Sequence, residues 1–521
     1  MFHLLLFLLL AAPSAATSAA TSANSSISVL SATYGGNCHF AGNLTAAASA
    51  YCGGQSSCSY TLCVCGWDAC SPSGPPCTPD PDPACAKDFA ITWRCSGDAA
   101  GAPARAAYLP AEADRSTAAL GCGPQPPVFS PRNITVAAFV YDPWTPEPAV
   151  FGRQGVNWTE WRLVRAASPR FPGHLQPKVP LWGELDTGLP ATWDLLNGAA
   201  LAAGIEVYLW DWYWWGDAPQ GSNPLLVRGL EQGFLRSASS ASMRWAVMFA
   251  NQDWVDLFPA KRRAPQPPIF SGATSPQVFE ELSSYWIQRY FGLPNYLTVA
   301  GCPLVSIYQI NVLVDSLGGL APAAAALAAF RARAAAAGHA CIHLQVMGMG
   351  ARKLPSPLPD TLAALGVSSV TDYCPQHYAG MQPAASGSPL VNYSAYSRGY
   401  VAQYGALAAQ VAPVPYVPNL GVAWDPSPRT VQSDDFDSWG YPATPVLQPT
   451  LGEFSQAVAL AADTVAARCS QEWCMMTVYA YSEFSEGGSL WPTVADGTGR
   501  LDAFTAVFGN RTGGAEPQGR R

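Results

Sequence analysis

Between residues 134 and 481 the chain repeats one pattern: a short apolar run, a helix-length stretch, then another run. The runs cover 134–141, 205–213, 244–250, 304–308, 342–346, 369–373, 414–420 and 476–481. Continuous apolar runs mark strands covered on both faces, as in parallel sheets whose crossovers are helices. Eight of them within residues 132–510 predict an α/β fold, a (β/α)8 barrel with insertions. A doubly wound open sheet is the alternative, but no Gly-rich phosphate loop follows the first run, which weakens a dinucleotide-binding reading.

In such barrels the chemistry sits at the C-terminal ends of the strands. Here those ends carry Tyr141-Asp142, Asp211-Trp212-Tyr213-Trp214, Asn251-Gln252-Asp253-Trp254, Tyr308, Asp372-Tyr373, Trp424-Asp425 and Glu483. Aromatic faces stack on sugar rings and carboxylates accept from hydroxyls, so a ring of both suits a neutral polyhydroxylated substrate. For Asp211 and Asn251 the plainer reading is capping of a following helix.

The turn after the last strand reads Tyr479-Ala-Tyr481-Ser-Glu483-Phe-Ser-Glu486-Gly-Gly-Ser-Leu-Trp491-Pro. Glycoside cleavage needs two carboxyl groups at the anomeric carbon, one protonated and one ionised. Carboxylates three apart on a loop can meet in one cavity. Burial against Trp491 and mutual repulsion would then separate their protonation. The competing reading is two solvated glutamates. A second constellation is Trp158-Thr-Glu160-Trp161, followed by Phe171, His174 and Gln176. A carboxylate between two indoles can hold sugar hydroxyls, and a lone His174 has no second histidine for a metal. No metal and no cofactor is expected. A Gly-x-Ser-x-Gly elbow and a His-Glu-x-x-His pair are both absent, which disfavours serine and zinc hydrolases.

The rest of the chain sets the context. An apolar run to Leu10 and a small-residue stretch to Ala23 read as a signal peptide over 1–23, with an uncleaved anchor as the minority reading. Nine of 15 cysteines lie between Cys38 and Cys95, which in a secreted chain is a disulfide framework over 24–96. Cys122 is the nearest partner for the odd one, and Cys469 and Cys474 can bridge locally. Residues 97–131 read as an Ala/Pro/Gly linker, and 511–521 as a disordered tail. Sequons at Asn24, Asn43, Asn133, Asn157, Asn392 and Asn510 fit a glycosylating pathway. Only 12% of residues are charged and the net charge is −8, which excludes a nucleic-acid footprint. The alanine-rich stretch 320–337 is cut by Arg331 and Arg333 and reads as an amphipathic helix, so no membrane span is expected beyond the signal segment.

Several motifs, in order, resemble the glycoside hydrolase family 99-like group, also labelled WbsX-type glycosyltransferase. They are Trp158-Thr-Glu-Trp161, Pro169-x-Phe-x-Gly-His174-x-Gln-Pro177, Asp211–Trp215, Phe249-Ala-Asn251-x-x-Trp254, Gly301-x-Pro303-Leu-x-x-x-Tyr308, Trp424-Asp-x-x-x-Arg429 and Glu483-x-x-Glu486-Gly487. The resemblance covers residues 134–508 and implies a (β/α)8 barrel related to retaining endo-α-mannosidases. It implies that Glu483 deprotonates the sugar 2-hydroxyl and that Glu486 protonates the leaving oxygen and then activates water. Tyr141, Trp158, Glu160, Trp161, His174, Asp211, Tyr213, Trp214, Asn251, Asp253, Trp254, Tyr308, Tyr373, Trp424, Asp425, Tyr481 and Trp491 are the expected sugar contacts. The chain departs from the group at Asn251-Gln-Asp-Trp254, where Asn-Glu-Asn-Trp is usual, at Tyr481-Ser-Glu-Phe484 for Trp-Asn-Glu-Trp, and at Leu490-Trp-Pro492 for Leu-Glu-Pro. The spacing from Tyr34-Gly35-x-x-Cys38 through Cys52, Cys58, Lys87 and Cys95 resembles the galactose/rhamnose-binding lectin domain of sea-urchin-egg type. Together these imply a secreted or secretory-lumen glycosidase whose partners are glycans. A glycosyltransferase and a non-catalytic glycan binder are the competing classes.

Overall fold

The computed structural model describes residues 26–35, 38, 42–65, 74–83, 85, 87, 89–96, 105–109, 117–122, and 134–509 except 263, 376–380, 382–387, 436–444 and 470–473. The expected signal segment 1–23, the expected tail 511–521 and the sequons at Asn24, Asn133 and Asn510 lie outside the described residues. The chain divides into two compact units, Met1–Val128 and Phe129–Arg521.

The first unit holds a four-stranded antiparallel sheet in the order Gly42–Asn43, Ile27–Tyr34, Phe89–Cys95, Arg105–Leu109, with helix Thr45–Cys52. A two-stranded ribbon pairs Ser57–Thr61 with Thr117–Gly121. The stretch 97–131, expected as a linker, therefore supplies two strands of this unit. Its small residues suit close strand pairing as well as flexibility. Ala118 and Leu120 join Tyr60, Ile91 and Phe89 in the core. Bridges Cys38–Cys85, Cys52–Cys58, Cys65–Cys77 and Cys95–Cys122 staple it. Cys302–Cys341 and Cys469–Cys474 lie in the second unit. So many bridges belong in an oxidising compartment.

The second unit is a (β/α)8 barrel. Its strands run parallel in chain order: Thr135–Val140, Ile205–Trp212, Arg244–Phe249, Cys302–Ile307, His343–Met347 and Ser369–Thr371, then Tyr416–Val417 with Asn419–Gly421, then Met475–Tyr479. The last strand pairs with the first, Met476 opposite Val136, and closes the ring. The seventh strand is split at Pro418, which has no amide hydrogen to give the ladder. Tyr416–Val417 pairs with the sixth strand and Asn419–Gly421 with the eighth. Each apolar run thus became a barrel strand, because residues facing both the interior and the outer helices are removed from water.

Most crossovers are helices that lay an apolar stripe on the sheet. Leu320–Ala336 buries Ala323, Leu327, Phe330 and Ala334, one every turn. Leu451–Ala466 starts with a capping box of Thr450 and Glu453. The second crossover is an exception, built from π and 3-10 turns over Gly229–Gly233, Phe234–Arg236 and Ser240–Ser242. Among the described residues no single helix is long and apolar enough to cross a membrane. Part of the barrel interior is polar and self-satisfied. Thr371 Oγ1 lies 2.8 Å from Thr477 Oγ1, across the broken seventh strand, and Asn419 Nδ2 donates to Thr477 Oγ1 at 3.0 Å.

Candidate active site

At the C-terminal end of the strands a cavity of about 190 Å³ is lined by Tyr141, Asp211, Tyr213, Met248, Ala250, Gln252, Asp253, Trp254, Val255, Leu257, Phe258, Tyr308, Gln309, Tyr373, Cys374, Arg429, Glu483 and Glu486. Both glutamates come from the turn after the last strand. That turn needs its two glycines. Gly487 has φ +76°, and a Cβ there would meet the Lys178 Nζ and the Asp425 backbone nitrogen. At Gly488 a Cβ would strike the Tyr479 ring. The Asp425 amide donates to Glu486 O at 2.6 Å, Arg500 Nη1 donates to Ser489 O at 2.9 Å, and Ser482 Oγ donates to Tyr141 O at 2.6 Å. The carboxylates are therefore carried by a turn fastened at several points.

Arg429 organises the charges. Its Nη1 donates to Glu486 Oε1, its Nη2 to Glu483 Oε2 at 3.2 Å and Glu160 Oε2 at 3.1 Å, and its Nε to Ser485 Oγ at 3.0 Å. The guanidinium also lies over the Tyr141 ring, 5.2 Å from its centroid. Tyr141 donates to Glu160 Oε1 at 2.6 Å, and Tyr479 donates to Glu486 Oε2. The Tyr373 hydroxyl lies 2.6 Å from Asp211 Oδ2 and 3.2 Å from Glu483 Oε1. Burial, then the charge of Glu486, pushes Glu483 well above the usual carboxylate range, against the pull of Arg429. Asp211 is likewise raised, by burial and by Glu486, against the Tyr373 hydrogen bond.

Behind the turn sits a second polar cluster. The Arg170 amide donates to His174 Nδ1 at 3.1 Å, so the ring proton is on Nε2, which donates to Asp425 Oδ2 at 2.9 Å. Gln176 Nε2 gives Asp425 Oδ2 a further bond at 2.6 Å. Burial raises Asp425, but the His174 hydrogen bond and the Lys178 charge outweigh it and hold it at about 2. Burial pushes Lys178 down to about 8.

Of the residues expected from the sequence, Tyr141, Asp211, Tyr213, Asp253, Trp254, Tyr308, Tyr373, Glu483 and Glu486 meet at the cavity. Glu160 is one layer behind, on Arg429. His174 and Asp425 pair with each other beneath the turn. The remaining expected contacts do not line the cavity. Trp158 packs on Phe151 and Phe258, and Trp161 and Trp491 pack on Trp144. Trp214 stacks on Trp212, Trp424 leans on Tyr479, and Tyr481 faces Tyr208 with its hydroxyl on Leu196 O. Asn251 is held by the Gln309 backbone, accepting from its amide at 2.8 Å and donating to its carbonyl at 2.9 Å. Large indoles gain more from full burial than from a partly wet wall. Glu483 is buried among Arg429, Tyr373 and Glu486, and the Trp491 ring packs on Trp144, Trp161 and Tyr481. Sequence reasoning left out Arg429, Gln252, Gln309 and Cys374 as site residues. Arg429 carried a signal, as the one cation close after the strand-end Asp425 in a ring of acids.

The stretch 151–504 matches the family model described as Glycosyltransferase WbsX. The uncharacterized protein WxcX of Xanthomonas campestris pv. campestris, strain B100, is 25% identical over 185 residues, 35% of this chain. The match spans only 25% of that relative's length, and the WxcX of strain ATCC 33913 matches equally. Among solved structures, the GH99 endo-alpha-mannosidase from Bacteroides thetaiotaomicron is 14% identical, with TM-score 0.41 over 69% of this chain and 88% of that one. A glycoside hydrolase-like protein, also 14% identical, has TM-score 0.46 over 74% and 97%. Since the family model spans most of the barrel and more than half of the chain, this protein belongs to the family described as Glycosyltransferase WbsX.

Proposed function

We propose that this chain is a retaining glycoside hydrolase acting on α-mannoside-like glycans. The observation that carries the reading is the pairing of Glu483 and Glu486 on the two terminal nitrogens of one buried guanidinium, at the floor of the cavity. Two carboxyls that share one guanidinium fit the ~5–5.5 Å spacing of a retaining pair better than the ~6.5–9.5 Å of an inverting one. In this reading Glu483 takes the proton of the 2-hydroxyl, which attacks its own anomeric carbon. Glu486 protonates the departing oxygen and then activates water. Tyr141, Tyr213, Trp254, Tyr308 and Tyr373 provide the faces and hydroxyls that seat the ring. A cavity of about 190 Å³ is smaller than the ~300–1,000 Å³ of drug-sized sites, which suits one deeply seated sugar unit.

The family description favours a second reading, transfer from an activated donor. A nucleotide diphosphate carries charge that clustered cations must meet. Among the described residues lining the cavity Arg429 is the one cation, and Glu160, Glu483 and Glu486 already engage it. That balance supports hydrolysis. The apolar start of the chain and the disulfides support passage through a secretory lumen. The stapled first unit serves in this reading as a lectin-like module that holds the enzyme on its glycan.

The test is incubation of the purified chain with a glycan library, with and without sugar nucleotides, read by mass spectrometry. Cleavage without any donor is expected, and Glu486→Gln should lower it by at least ~10²-fold. Product formed only with a sugar nucleotide would replace hydrolysis by transfer, and activity that survives Glu486→Gln would remove Glu486 from the mechanism.

A further inference from the structure

A phenol has one proton, yet the Tyr373 hydroxyl lies within hydrogen-bonding distance of two carboxyl groups, 2.6 Å from Asp211 Oδ2 and 3.2 Å from Glu483 Oε1. It can donate to only one of them. Asp211 makes the shorter contact and is the acceptor. Glu483 Oε1 can then make a favourable contact with the Tyr373 oxygen only by donating to it, which requires a proton on Glu483. The row therefore reads Glu483 O–H to Tyr373 Oη, and Tyr373 O–H to Asp211 Oδ2. Among the described residues Asp211 Oδ1 has no hydrogen-bond partner although the residue is buried, so nothing else there balances a charge on Asp211. Arg429, the cation at hand, binds Glu483 and not Asp211.

We propose that Asp211 is a positioning residue that shares one proton with Glu483 through the Tyr373 hydroxyl. When the proton moves, the Glu483 O–H bond breaks and a new O–H forms on Tyr373. The original Tyr373 O–H breaks and one forms on Asp211 Oδ2. One proton passes from Glu483 to Asp211, one negative charge passes the other way, and no outside acid or base takes part. Burial favours this arrangement, since one proton on the pair leaves a single negative charge in a dry site instead of two. The charge arrives on the carboxylate that Arg429 faces. This inference deepens the hydrolase reading and rests on it for its purpose: it explains how Glu483 can act as a base although its surroundings favour its protonated form.

The test does not need a substrate. Infrared spectra of the full chain at neutral pH, as differences between wild type and variants, report the carbonyl stretch of protonated carboxyl groups. With one shared proton, Glu483→Gln should remove the protonated-carboxyl band, and Asp211→Asn should shift it, because burial and Glu486 still favour the proton on Glu483 while the charged end of the row is gone. Tyr373→Phe should keep a band but shift it, and thermal melts show whether each variant is folded. A Glu483 band whose position is unmoved in a folded Asp211→Asn variant overturns the relay, as does a folded Tyr373→Phe variant whose band is unmoved. If the glycan assay succeeds, Asp211→Asn should also lower kcat by at least ~10-fold with KM nearly unchanged and displace the pH profile. If that assay fails, the infrared result still decides the relay, so the two failures are distinguishable.

Discussion

At the scale of single residues, burial of charge dominates this protein. Arg429 is nearly buried and meets three carboxylates. Such a group is stable only while every partner is present. Asp142 shows the opposite case. It directly follows Tyr141, is 1% exposed, and neither carboxyl oxygen has a close hydrogen-bond partner among the described residues. Gly229 has no side chain because one would overlap Asp142 Oδ2. Burial, with the charge of Asp186 adding and Thr187 opposing, raises Asp142 to about 7. The folded state thus binds a proton that the unfolded chain has already lost at its value of 3.8. Stability from this residue is full below pH 3.8 and falls as pH rises to about 7. The difference of about 3 pH units corresponds to ~4 kcal/mol at most. Asp142→Asn should therefore raise Tm at pH 8 and have much less effect at pH 4, measured by thermal denaturation. An equal shift at both values would show that Asp142 is neutral or solvated throughout.

At the scale of elements, the decisive piece is the turn from Tyr481 to Trp491. Its backbone is tied to the seventh-strand loop through the Asp425 amide and to the last helix, Gly499–Phe508, through Arg500. Gly487→Ala would put a side chain into a left-handed position against Lys178 and Asp425. The conformational cost alone is ~1–2 kcal/mol. Urea unfolding should show that loss, and glycan cleavage should drop at least ~10-fold because Glu486 is the adjacent residue. A variant of wild-type stability and activity would mean that the turn has another conformation. The strands were readable one by one because each is covered on both faces. The crossover after the second strand was not, since π and 3-10 turns carry no 3.6-residue stripe. The strands of 97–131 were missed for a related reason: Ala- and Gly-rich segments look alike whether paired or free.

At the scale of the molecule, the two units rely on different forces. The barrel buries a large continuous core, whereas the first unit has a small one and four described bridges. Small domains with little core depend on such cross-links, each worth ~2–5 kcal/mol. Calorimetry in a strong reductant should abolish the transition of the first unit while the barrel transition moves by only a few degrees. Loss of both together would mean that the barrel depends on Cys302–Cys341 or Cys469–Cys474 for folding. By itself, the sequence determined the α/β class, because recurring apolar runs need a parallel sheet covered on both faces, whereas closure into a barrel came from the pairing of the last strand with the first. It also determined which strand ends carry carboxylates and aromatics, since these are local features of the chain. Only the tertiary structure decided which of them face one another. Trp158, Trp161 and Trp491 turned into packing, while Arg429 and Asp211 became the centre of the charge network. Burial and partner distance are set by segments hundreds of residues apart, and no local pattern encodes them.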